Sequence, residues 1–149
     1  MRKEKGFSLI ELLIVVTIIG VIAALAIPGL QKARRYAQSG SAIQSLRTIN
    51  TAELLYERRY KTYAALVDLA PEGSIDTGLA LGQKSGYDFT VTLALDATDL
   101  ANGKLLTFKC YASPQGAAAT GVFFYVDETG VIRSNDGAPA DGTSPPIPR

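Results

Sequence analysis

The chain contains no histidine and no tryptophan, and its single cysteine is Cys110. Without histidine it lacks the commonest general base and the commonest metal ligand, and every Ser-His or Cys-His nucleophile arrangement is excluded. That absence argues against an enzyme. A lone cysteine cannot form an intrachain disulfide, so no loop is closed covalently, and cysteine usage gives no argument for an oxidising compartment. An excess of one charge sign is missing too. Lys and Arg number 15 against 14 Asp and Glu, which gives a polyanion no hold on the chain as a whole. The 149 residues suffice for one domain with a modest core.

What is present is unevenly spread. Apolar residues make up 47% of the chain, an ordinary globular value, but they crowd into the first thirty positions. A basic start, Met1-Arg2-Lys3-Glu4-Lys5-Gly6, leads into Phe7-Ser8-Leu9-Ile10-Glu11 and then an apolar run to Ile27, interrupted by Thr17 and Gly20. At about 1.5 Å per residue, Phe7 to Ile27 gives roughly 31 Å of helix, enough to cross a bilayer core. Several β-branched residues in this run are poor helix formers in water. In lipid the backbone must satisfy its own hydrogen bonds, so helix remains the expected state.

Three roles compete for this segment: a signal peptide removed whole, an ordinary single-span anchor, and a run whose short leader is cut to leave it as the mature N-terminus. The apolar stretch is too long for the first and shows no small-x-small cleavage site. Glu11 separates the other two. A carboxylate within a spanning helix costs roughly 2.5–3.5 kcal/mol at the bilayer centre and less near an end. An inert tether gains nothing from it. Cleavage after Gly6 would create a partner, the α-amino group of Phe7, whose ordinary pKa is near 8. Across two staggered subunits that amine could meet a neighbour's Glu11.

Gly6-Phe7-Ser8-Leu9-Ile10-Glu11, set between a short basic leader and a long apolar run, resembles the start of type IV prepilins and type II secretion pseudopilins. The likeness covers Lys5 to about Arg35. It implies that a membrane-embedded prepilin peptidase cuts between Gly6 and Phe7 and methylates Phe7, and that Glu11 pairs with a neighbouring N-terminus during assembly. It also places the leader in the cytoplasm and the rest outside. The charges themselves leave this open, because Arg2, Lys3 and Lys5 on one side balance Lys32, Arg34 and Arg35 on the other. Gly20 and Pro28 fall where such pilins carry a glycine and a helix-breaking proline. Independently, Pro28 removes one backbone bond and crowds the Ala24 carbonyl, which predicts a kink or break.

Past the apolar run the sequence predicts an extracytoplasmic head over 31–149. Leu30, Ala33, Ala37, Ile43, Leu46, Ile49, Ala52, Leu55 and Tyr56 recur at helical spacing, predicting an amphipathic helix over 31–60 with Glu53 among the polar positions. Residues 61–84 read as a loop. A period of two then marks strands at Tyr87–Leu95 and Leu106–Ala112, followed by Val122–Val126 and Val131–Arg133, with turn chemistry at Asp96–Gly103 and Asp127–Gly130. The expected fold is α+β: a long N-terminal helix packed on an antiparallel meander of about four strands over 85–134. The tail, 135–149, has prolines and no periodicity and is expected to be loose.

Other constellations are weaker. Asp127, Glu128, Asn135 and Asp136 lack a calcium-ligand pattern, so neither metal nor cofactor is expected. Cys110 reads as a small buried apolar residue. The basic clusters at Lys32–Arg35 and Arg58–Lys61 are short, and no nucleic-acid partner is expected. The reading is a subunit of a pilus-like filament: leader 1–6, polymerisation helix 7–30 and head. Its expected partners are copies of itself, the prepilin peptidase, inner-membrane assembly machinery, and the membrane before assembly. The rivals are a type II secretion pseudopilin and a monomeric membrane-anchored binding module.

Overall fold

A computed structural model describes residues 6–94, 107–116 and 121–148. The expected turn at Asp96–Gly103 lies outside the described residues, as do Leu95, Leu106 and residues 1–5 of the leader. The order of elements is α1 (Leu9–Tyr60), α2 (Leu66–Leu69), α3 (Thr77–Ala80), β1 (Gln83–Lys84), β2 (Tyr87–Ala94), β3 (Thr107–Pro114), β4 (Val122–Asp127) and β5 (Arg133–Asp136). The chain divides into two compact units, one reaching Tyr36 and the other starting at Ala37.

In the first unit the large apolar side chains of α1 are exposed, with Leu9, Ile19 and Leu25 at 83%, 59% and 79% exposure, while Ala23 is half-buried. The expected break is absent here. Helix runs without interruption through Gly20 and Pro28. A proline costs the ladder one N–H donor and leaves the bonds on either side in place, which an otherwise strongly apolar helix tolerates. Thr17 donates its hydroxyl to the Leu13 carbonyl at 2.7 Å, so this lone polar side chain in mid-run is satisfied within the helix.

The second unit is the α+β fold that the periodicities predict. Its antiparallel sheet has five strands in the order β1-β2-β3-β4-β5. Inward positions Phe89, Phe108, Cys110, Ala112, Phe124 and Val126 meet Ala42, Leu46, Ile49 and Ala52 of α1 in one core. In β2 the alternation expected from sequence appears as buried Tyr87 and Phe89 against exposed Thr90 and Thr92. The buried stripe of α1 is Ala42, Ser45, Leu46, Ile49, Ala52 and Glu53. Glu53, placed by sequence on a polar face, is therefore inside, and Leu55, placed on the apolar stripe, is 53% exposed.

Residues 61–84, expected as loop, hold α2, α3 and β1. None exceeds four residues, too short to carry a period. Asp76 caps α3 by accepting the Leu79 N–H at 3.0 Å and pairs with Lys84. Gly82 has φ +75°, and a Cβ there would come within 2.8 Å of the Phe89 carbonyl oxygen, so only glycine fits this turn into the sheet.

Two expectations near the C-terminus are corrected. The last strand is Arg133–Asp136 rather than Val131–Arg133. Ile132 is buried as a plug after the Asp127–Gly130 turn, and strand pairing starts at Tyr125↔Arg133. Nor is the tail loose. Phe123 and Tyr125 point away from the main core and need cover, which Ala140 supplies at 2% exposure. The Ser134 N–H donates to Pro145 and the Ile147 N–H to Ile132, both at 3.0 Å, so the proline-rich segment lies along the outer edge of β5. Prolines fix an extended chain without any side-chain period, so the missing periodicity misled.

Candidate assembly site

The residues singled out by sequence lie at the start of α1. Phe7 is 76% exposed. Among the described residues, nothing lies within 4 Å of where a Gly6 Cβ would be. Ser8 stands at the N-cap position. Its carbonyl accepts from the Leu12 N–H at 3.3 Å, and its N–H donates to Glu11 Oε2 at 3.0 Å. This is the carboxylate half of a capping box, in which the third helical residue reaches back to the cap. A negative charge in the first turn also complements the positive end of the helix dipole.

Glu11 thus has a neutral backbone donor within its own chain. No cation forms an ion pair with it among the described residues. A carboxylate held by one amide hydrogen bond keeps acceptor capacity for a second, charged donor. The Ser8-x-x-Glu11 spacing that produces this cap was legible in the sequence and was missed there.

Gly20 and Pro28 lie further along the same exposed helix, with nothing near Gly20 to clash with a side chain. The helix carries a window with mean hydropathy of 2.9 that is wholly unburied, long and apolar enough to cross a membrane.

Away from this end, Glu53 is the main group that sequence reasoning missed. It is fully buried, accepts the Ala64 N–H at 3.0 Å through Oε2, and leaves Oε1 without a partner among the described residues. Burial raises its pKa from an ordinary 4.5 to about 7, against the lowering effect of the Ala64 bond. Cys110 lies fully buried in the same core, where desolvation and the nearby Glu53 push its thiol upward and keep it inert. The signal was available, since positions 46, 49, 53 and 56 fall on one helical face. Of the tyrosines at the helix end, Tyr63 packs on Phe108 at 4.9 Å. Tyr60 stacks on Tyr56 at 4.4 Å and donates its hydroxyl to Glu72 at 2.8 Å.

Comparison with known proteins agrees with this geometry. Residues 1–27 match the family described as prokaryotic N-terminal methylation motif. The chain is 34% identical over 87 residues to a type IV major pilin protein of Myxococcus xanthus, covering 56% of this chain and 40% of that one. It is 28% identical over 137 residues to a fimbrial protein of Pseudomonas aeruginosa, covering 92% and 84%. It is also 40% identical over 73 residues to a type IV wide pilus major component of Thermus thermophilus, covering 46% and 56%. No solved structure matches the chain. The motif and these matches liken the chain to type IV pilins and fimbrial proteins, and the match spans less than half the length of the Myxococcus xanthus relative. The chain thus carries a prepilin-type N-terminal motif and is similar in sequence to type IV pilins.

Proposed function

We propose that this chain is a structural subunit of a type IV pilus-like extracytoplasmic filament, held in the inner membrane as a single-pass precursor and assembled through its N-terminal helix. The observation that carries the reading is a solvent-exposed apolar helix with one carboxylate in its first turn, directly after the Gly6–Phe7 junction. Prepilin peptidase cuts between Gly6 and Phe7 and methylates Phe7. The α-amino group so created pairs with Glu11 of a neighbouring subunit. Moving the apolar face from lipid to a bundle of like helices yields little hydrophobic energy, so close packing and the charged pair set the register. Gly20 and Pro28 are the cheapest places for α1 to open as helices pack, because Pro28 lacks an N–H and glycine disfavours helix.

Glu11→Ala tests this. Removing the carboxylate makes the helix more apolar, so membrane insertion should be undiminished. Assembly loses the partner of a buried amine, a cost of roughly 3–5 kcal/mol that deprotonation of the amine can soften. Membrane-retained subunits with few or no sheared filaments by electron microscopy are expected. Abundant normal filaments in cells lacking wild-type subunit would sink the assignment of Glu11.

A further inference from the structure

Just past the apolar run, α1 carries Lys32, Arg34 and Arg35, all exposed. None is in an ion pair among the described residues. From Leu12 to Ala52 the sequence holds no acidic residue at all, so no local carboxylate on this helix neutralises them. Lys32 lies over the ring of Tyr36 at 5.9 Å, and Tyr36 is itself 67% exposed. Basic and tyrosyl side chains following a span are the composition of a membrane–water interface. At about 100° per residue, these four side chains spread over roughly 200° of the helix circumference. The apolar face that packs one helix against another is about 100° wide or somewhat more. The remaining side carries Ala33 and Ala37, the small residues that suit close helix contact. A cationic arc this wide fits a plane of headgroups better than a single protein neighbour.

We propose that Lys32, Arg34, Arg35 and Tyr36 form a binding collar for anionic phospholipid headgroups, which fixes the depth of the precursor and holds it until assembly. The proposal rests on Leu9–Leu30 lying in the bilayer and does not depend on filament formation. Each cation near an anionic surface favours the contact by about fivefold, and salt erodes this within a Debye length of roughly 10 Å at 0.1 M.

The test uses the full chain reconstituted in vesicles of phosphatidylcholine and phosphatidylglycerol. It is made in an R2Q/K3Q/K5Q background, so that the collar is the one basic cluster flanking the span. After mild solubilisation, retained lipids are counted by mass spectrometry. Several-fold enrichment of phosphatidylglycerol is expected. It should be lost in K32Q/R34Q/R35Q, kept in K32R/R34K/R35K, and reduced by high salt during solubilisation. Unchanged enrichment in K32Q/R34Q/R35Q overturns the proposal. So does loss of filaments in that variant with its lipids unchanged, which would assign the collar to a second copy of the chain. Absence of every variant from the membrane fraction would instead overturn the spanning reading itself.

Discussion

At the scale of single residues, two glutamates in one helix meet opposite environments. Glu11 is solvent-exposed at the helix start, and its carboxylate completes a cap. Glu53 sits in the core with one oxygen bonded to Ala64. Because burial raises its pKa to about 7, the folded head holds this proton more tightly than the unfolded chain. The stabilisation is full below pH 4.5, the unfolded value, and is lost as pH rises to about 7. Above that, the ionised side chain weakens the head by about 3 kcal/mol, since each tenfold gain in proton affinity on folding is worth roughly 1.4 kcal/mol. Denaturation midpoints of Glu53→Gln should lose this slope between pH 5 and 7 while retaining an acceptor for Ala64. Glu53→Ala should cost stability at all pH values by leaving that N–H buried and unpaired, about 1–3 kcal/mol. An identical pH slope in wild type and Glu53→Gln would show that another group carries it.

At the scale of elements, regular period was the reliable guide. The two-residue alternation of Tyr87 to Leu93 and the inward Phe108, Cys110 and Ala112 gave β2 and β3 with their faces correctly assigned. The prepilin-type start was legible because it is a fixed short pattern. What lacked period was lost: α2, α3 and β1, and above all the C-terminal strap. That strap is set by polar chemistry. The Asp141 carboxylate accepts the Thr143 N–H at 2.9 Å and the Ser144 N–H at 3.1 Å, with both hydroxyls also within reach. These bonds hold its pKa below the usual carboxylate range. Asp141→Ala should therefore free the strap. Hydrogen exchange at the Ser134 and Ile147 amides is expected to speed up, with β2 and β3 amides unchanged. Equal protection of both sets would mean that the prolines alone hold the segment.

For the whole molecule, the division after Tyr36 separates an exposed apolar helix from a part with its own core. A fragment beginning at Ala37 should be soluble and monomeric, with a mixed helix–strand circular dichroism spectrum. A disordered or purely helical spectrum would refute the separation. At the other end of the chain, removal of residues 1–6 takes away a net +2, from Arg2, Lys3 and Lys5 against Glu4. The chain then falls from +1 to −1, excluding termini. Intact mass of protein recovered from cells should lack Met1–Gly6 and carry one added methyl group. A mass retaining the leader would rule out the proposed processing.

The strap has a consequence for how the head matures. With one thiol, sealed in the core, and its last segment fastened by hydrogen bonds and the packing of Ala140 and Ile147, the head acquires its final shape without an oxidation step. Folding then waits on no thiol oxidase and reaches the same end point at any ambient redox potential. The fastening can also open and reclose freely. The outermost edge of the sheet is therefore the part of the head that denaturant should release first, while reductants leave it untouched.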